Sequence, residues 1–139
     1  MHVIKLSELP FGPALPLFGD RIAAGFPSPA QDYVEQRINL NDVCVQHPAA
    51  TYFVRVCGDS MVDASINDGD LVVVDSSLQA RHGDIVIAAI GGDFTIKRLQ
   101  TTPRPALLPM NARYAPIYLN PAEQLDIFGV VTYVIHALR

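Results

Sequence analysis

From residue 50 onward the chain is a series of short β-type runs closed by explicit turns, and this pattern constrains the fold more than any other feature. The runs span residues 51–56, 71–75, 84–90, 94–99, 106–108, 117–119 and 127–138. The turns between them include Asn67-Asp68-Gly69-Asp70, Arg81-His82-Gly83-Asp84 and Gly91-Gly92-Asp93. Two glycines between two β-rich runs are a strong hairpin signal, because tight hairpin turns need left-handed backbone. Several short strands with regular turn punctuation predict a mostly β domain, barrel-like or sandwich. Half of the 139 residues are hydrophobic, enough to build one core of modest size. No internal repeat or heptad competes with this reading. The last run, rich in Val130, Val131, Val134 and Ile135, reads first as a core strand. At a sheet edge it would instead be prone to pair with a second chain.

The first forty residues follow a different pattern. Pro10, Pro13, Pro16, Pro27 and Pro29, with Gly12, Gly19 and Gly25, interrupt any regular element, since proline fixes its own φ and pushes the preceding residue toward extended backbone. Residues 5–30 are therefore expected to form an extended arm with at most one short helical turn. Ser28-Pro29 resembles a helix start, so a short helix is expected over residues 30–38, with Tyr33, Val34, Arg37 and Ile38 near one face.

Charge and composition exclude several classes of function. Ten Lys+Arg against fourteen Asp+Glu leave a net charge of −4, little material for the basic surface of an autonomous DNA-binding protein. The longest strictly apolar run, at 85–90, is far shorter than the roughly 20 residues of a spanning helix. Cys44 and Cys57 form no CxxC pair and suit a reducing cytoplasm better than a disulfide scaffold. His2, His47, His82 and His136 have no metal-cluster spacing, so no metal or cofactor is expected. The aspartates at 59, 63, 68, 70, 75, 84 and 93 mostly flank strands or turns, where Asp side chains accept from local backbone N–H groups.

Two places allow chemistry. In Val56-Cys57-Gly58-Asp59-Ser60-Met61-Val62 a hydroxyl follows a glycine bend at the end of a strand run. Such a bend can expose a nucleophile and aim nearby N–H groups at the same space, although serine after glycine is also an ordinary turn pattern. In Asp93-Phe94-Thr95-Ile96-Lys97-Arg98-Leu99, strand alternation puts Thr95, Lys97 and Leu99 on one face. On spacing alone, Lys97 is a solvated lysine. To act as a base it must be neutral, and at its ordinary pKa only about one lysine in 2,500 is neutral at pH 7. Bringing that pKa to about 7–8 takes roughly 4 kcal/mol of differential interaction, which desolvation against apolar walls can supply.

The serine after a glycine turn, the downstream strand lysine and the N-terminal arm together resemble the LexA family of self-cleaving serine–lysine peptidases, specifically its short members without a DNA-binding domain. The likeness is densest in Gly25-Phe26-Pro27-Ser28-Pro29-Ala30, Asp32-Tyr33-Val34-Glu35-Gln36-Arg37, Gly58-Asp59-Ser60-Met61, Asp68-Gly69-Asp70-Leu71, His82-Gly83-Asp84-Ile85-Val86 and residues 126–131. It implies a β-rich LexA-type peptidase domain over residues 41–139 behind an arm over 1–40. Ser60 is implied as nucleophile, Lys97 as general base, and the backbone N–H groups of Asp59 and Ser60 as oxyanion donors. The implied scissile bond joins Ala24 to Gly25, the Ala-Gly pair typical of the repressors of the family. The implied biology is SOS-response translesion synthesis in the cytoplasm. A RecA filament on single-stranded DNA promotes cleavage, and the processed homodimer serves a UmuC-type Y-family polymerase, with the sliding clamp as a further partner. Direct sequence-specific DNA binding and membrane association are not expected. Three rivals are weaker: a repressor, for which fewer than about 45 residues before the β pattern leave no helix-turn-helix domain; a non-catalytic β subunit; and a membrane-anchored signal-peptidase-like enzyme.

Overall fold

The computed structural model describes residues 3–5, 13–19, 34–120 and 125–139. In chain order its strands are β1 (Val3–Lys5), β2 (Leu15–Phe18), β3 (Val34–Ile38), β4 (Thr51–Arg55), β5 (Leu71–Asp75), β6 (Ile85–Ile90), β7 (Asp93–Gln100), β8 (Ala106–Leu108), β9 (Ile117–Tyr118) and β10 (Leu125–Ile135). One short helix, α1 (Leu40–Cys44), and single 3-10 turns at Pro48–Ala50 and Val62–Ala64 complete the described elements. The chain divides into two compact units, Met1–Leu9 with His47–Arg139, and Pro10–Gln46. The mostly β class expected from the turn pattern is what the structure has.

In the larger unit eight strands form one antiparallel sheet in the order β1-β4-β5-β10-β6-β7-β8-β9. The runs Leu71-Val72-Val73-Val74 and Ile85-Val86-Ile87-Ala88-Ala89-Ile90 lack polar alternation because both of their faces are covered. Ile87 joins Val54, Val56, Met61, Ile66, Val72 and Val74 in one core cluster. Its neighbours Val86 and Ala88 join Leu99, Leu107 and Val130 in the other. Full burial of each such large aliphatic side chain contributes about 1.5–3 kcal/mol. The β6–β7 hairpin closes through Gly91-Gly92, with Ile90 paired to Asp93 and both glycines at positive φ, +59° and +89°. That is the backbone a two-residue hairpin loop demands. The hairpin register sets Lys97 opposite Val86 and Thr95 opposite Ala88.

The terminal strand is interior: β10 lies between β5 and β6, not at an edge. Register shifts at Phe128 and Thr132 let its eleven residues bend while keeping both partners. Its core role is therefore borne out, although Phe128, Tyr133, Val134 and Ile135 keep exposed side chains.

The N-terminal expectations need correction. The predicted helix over 30–38 is replaced at its C-terminal end by β3, which pairs antiparallel with β2 in the smaller unit. Its first residues, 30–33, lie outside the described residues, as do Ala24 and Gly25. The helix starts later, at Leu40, because the Asn39 side chain accepts from the Asn41 N–H at 3.0 Å and caps it. The arm also holds more strand than expected, since β1 pairs with β4 as well. Short extended segments tolerate nearby prolines and gain order only once a partner strand satisfies their backbone groups.

At Gly129 the backbone of β10 comes so near β5 that an added Cβ would meet Val74 Cγ1 at 2.5 Å and the Asp75 carbonyl oxygen at 3.2 Å. Gly129→Ala is expected to destabilise the protein by about 1–3 kcal/mol, the usual range for overpacking. Urea denaturation measures this, and an unchanged midpoint would show that β10 is not pinned there.

Candidate active site

Ser60 follows the strand β4 and a sharp bend. Val56 continues the pairing beyond the strand: its N–H donates to the Asp70 carbonyl and its carbonyl accepts from the Gly69 N–H, both at 2.8 Å. The chain then reverses at Gly58, whose φ of +94° favours glycine. Its N–H donates to the Asp68 carboxylate at 2.7 Å. Met61, 1% exposed in the core, anchors the far side of the bend. A left-handed 3-10 exit at Ser65 and a bond from the Asp63 N–H to the Met110 carbonyl close the segment. Ser60 is thus held at a fixed place on the surface of the core by groups before and after it.

The structure brings Ser60 and Lys97 together. Lys97 Nζ lies 3.0 Å from Ser60 Oγ, 2.8 Å from Thr95 Oγ1 and 3.0 Å from the Ile96 carbonyl oxygen. Both side chains are half-buried in a cleft of about 190 Å³, whose apolar walls are Val54, Val56, Ile87, Phe94 and Ile96. Burial lowers the Lys97 pKa from its ordinary 10.5 by penalising the ammonium form. Among the described residues no carboxylate pairs with Nζ to restore that charge. The Ile96 carbonyl can only accept and Thr95 can accept, so a neutral amine here can place its two hydrogens on those oxygens. Its lone pair is then left facing the Ser60 hydroxyl. The solvated-lysine reading of Lys97 is therefore overturned, and the hydroxyl expected beside it is Thr95.

Asp59 and Ser60 also bring their backbone N–H groups to the bend. Among the described residues neither N–H has a hydrogen-bond partner, whereas both carbonyls do. Asp59 O accepts from Asn111 Nδ2 at 2.9 Å, and Ser60 O accepts from the Met110 N–H at 2.7 Å. Tyr114 donates its hydroxyl to the Asp59 carboxylate, and that acceptor raises the Tyr114 pKa. Sequence reasoning missed the 110–114 segment. It lies about fifty positions from Ser60 and carries no local signal.

The remaining titratable candidates are structural. Asp70 and Asp75 are buried and bonded to His136 and His47 respectively. Burial alone would raise both carboxyl pKa values. Hydrogen bonds prevail and lower them: for Asp70 from the Asn67 N–H and His136, for Asp75 from Ser77 and His47. Asp84 accepts from the Arg81 N–H and His82 from the Thr101 N–H. The local bonds of Asp70, Asp75 and Asp84 to backbone N–H groups are the turn roles expected of these aspartates. Cys57 is an exposed free thiol at the cleft wall, and Cys44 is free and partly buried. Among the described residues no helix is long and apolar enough to cross a membrane.

The bend itself is testable. Gly58→Ala has open space for its Cβ yet must adopt a left-handed φ. It is expected to cost about 1 kcal/mol of stability. Thermal denaturation reads the loss, and a variant as stable as wild type would mean that the bend can relax.

Comparison with known proteins agrees with the geometry. The model of the Peptidase S24-like family matches residues 16–132. The chain is 54% identical to protein MucA of Salmonella typhimurium over 121 residues, covering 86% of this chain and 83% of that protein. It is 52% identical to protein SamA of Salmonella typhimurium strain LT2 over 137 residues, covering 99% and 96%. Against the LexA repressor of Verminephrobacter eiseniae it is 43% identical over 122 residues, 87% of this chain and 54% of the repressor. A strand sheet carrying an apposed serine and lysine, matched by a family model over most of its length, has one consistent assignment: the chain belongs to the peptidase S24-like family, as a UmuD-like relative of the LexA repressors.

Proposed function

We propose that this protein is a self-cleaving serine endopeptidase with Ser60 as nucleophile and Lys97 as general base, cutting between Ala24 and Gly25. The observation that carries this reading is the 3.0 Å contact between Lys97 Nζ and Ser60 Oγ in a cleft where burial lowers the lysine pKa. Residues 1–40 act as the arm bearing the scissile bond and residues 41–139 as the peptidase domain. Ala24 and Gly25 are small enough to let the peptide backbone lie against the nucleophile.

Neutral Lys97 takes the Ser60 proton as Oγ bonds to the Ala24 carbonyl carbon. The Asp59 and Ser60 N–H groups receive the oxyanion, a role supported by their having no other partner among the described residues. The Ala24–Gly25 C–N bond breaks, and the Lys97 ammonium returns its proton to the departing Gly25 amine. Water, deprotonated by the Lys97 amine, then attacks the acyl ester; its C–O bond breaks, Lys97 returns the proton to Ser60 Oγ, and an Ala24 carboxylate is released.

The wider role follows from the family resemblance. The processed chain serves SOS-response translesion synthesis in the cytoplasm, as a homodimer assembled with a UmuC-type polymerase and the sliding clamp. A RecA filament on single-stranded DNA favours the arm geometry in which the bond reaches Ser60. Similarity to the LexA repressor and to MucA and SamA supports this assignment.

Purified full-length protein incubated across pH, with mass spectrometry of the products, tests the enzymology. The rate is expected to rise about tenfold per pH unit while Lys97 is mostly protonated and to level off below pH 10.5, because burial lowers its pKa. Ser60→Ala and Lys97→Ala are expected to abolish the new Gly25 terminus at every pH. A flat pH profile, or cleavage persisting in Ser60→Ala, sinks the dyad. The same titration affects stability. An unfolded lysine keeps its proton up to about 10.5 whereas the folded one releases it earlier, so stability due to Lys97 rises with pH through that window. Addition of RecA filaments on single-stranded DNA is expected to accelerate cleavage at neutral pH. Equal rates with and without filaments would remove that partner from the scheme.

A further inference from the structure

We infer that Asn111 is a positioning residue that aims and strengthens the oxyanion donor at Ser60, working through the Asp59–Ser60 peptide unit. The inference rests on the serine–lysine reading above and adds a residue to it. Asn111 Nδ2 donates to the Asp59 carbonyl oxygen at 2.9 Å across 52 positions of sequence. That carbonyl and the Ser60 N–H belong to one planar peptide group, so fixing the oxygen fixes the direction of the N–H. A hydrogen bond to the oxygen also polarises the group and makes its N–H a better donor, the cooperative effect seen along hydrogen-bond chains. The Asn111 amide is itself oriented: its Oδ1 accepts from the Arg113 N–H at 3.0 Å, which leaves Nδ2 facing Asp59.

Two neighbouring contacts serve the same arrangement. The Met110 N–H donates to the Ser60 carbonyl at 2.7 Å and fixes the next peptide plane. Tyr114 donates to the Asp59 carboxylate, which gives the side chain beside the donors a partner of its own. These bonds converge on Asp59 and on Ser60, the residue before the reacting hydroxyl and the residue that bears it.

Asn111→Asp is the discriminating variant. It keeps the shape and the acceptor for the Arg113 N–H but cannot donate to the Asp59 carbonyl, and Asn111→Ala controls for the added charge. Full-length protein is assayed for self-cleavage across pH and for labelling of Ser60 by a fluorophosphonate, which forms a charged oxygen at the same place without needing the arm. Both variants are expected to lose about tenfold in the plateau rate and in labelling, less than the 10²–10³ that follows removal of a direct donor. The pH midpoint set by Lys97 stays in place. Wild-type cleavage and labelling in both variants would overturn the inference. So would a loss accompanied by a shifted midpoint and a lowered melting temperature, which marks a bracing role. If neither variant folds, Tyr114→Phe at its exposed position carries the test, with a few-fold loss of labelling expected and wild-type labelling overturning the inference. Ser60→Ala separates the two levels: its continued cleavage sinks the dyad, whereas an inert Ser60→Ala beside a fully active Asn111→Asp sinks only the role of Asn111.

Discussion

A lysine amine kept partly out of water, with a hydroxyl at hydrogen-bond distance and, among the described residues, no carboxylate paired with it, is the constraint around which this structure is organised. An amine in water is almost wholly charged at neutral pH, and a charged amine cannot accept a proton. Partial burial against Val54, Val56, Ile87 and Ile96 removes solvation from the ammonium, while Thr95 and Ile96 supply acceptors that a neutral amine can also use. Any carboxylate placed against Nζ would reverse the effect by stabilising the charge. Four of the described aspartates are engaged elsewhere: Asp68 and Asp70 in the turn supporting Gly58 and Val56, Asp75 at the end of β5 and Asp59 with Tyr114.

The two halves of the site come from different kinds of structure. Lys97 sits on β7, whose register is set by the two-glycine hairpin and by pairing on both sides with β6 and β8. Ser60 sits on a non-repetitive bend, which has no ladder to hold it. The bend is fastened by the Asp68 carboxylate, the buried Met61 side chain and the backbone of Met110. A rigid strand supplies the base and a pinned turn supplies the nucleophile. In the proposed reaction this division suits the chemistry, because a turn can present N–H groups to a reacting carbonyl whereas a paired strand has its own engaged.

Much of the fold was legible because hydrophobic periodicity and turn chemistry act locally. The runs at 71–75 and 106–108 match β5 and β8 residue for residue, and Gly91-Gly92 marks its hairpin without ambiguity. Residues 34–38 were misread because Ser28-Pro29 is a good local helix start, while the strand there depends on pairing with residues 15–18. The terminal run was recognisable as a strand, but its place between β5 and β6 depends on topology that no local pattern encodes.

The amino-acid order by itself determined the class of chain: a mostly β domain behind a proline-rich arm, with a glycine bend before Ser60 and Lys97 on a strand. Those features rest on backbone preferences and on alternation, both decided within a few residues. Only the tertiary structure decided that the hydroxyl and the amine meet, that burial weakens the lysine's hold on its proton, and that Asn111 and Tyr114 reach back to Asp59. Distances between remote residues and the loss of solvent around them arise when strands pair and cores close, and no short window of sequence contains either.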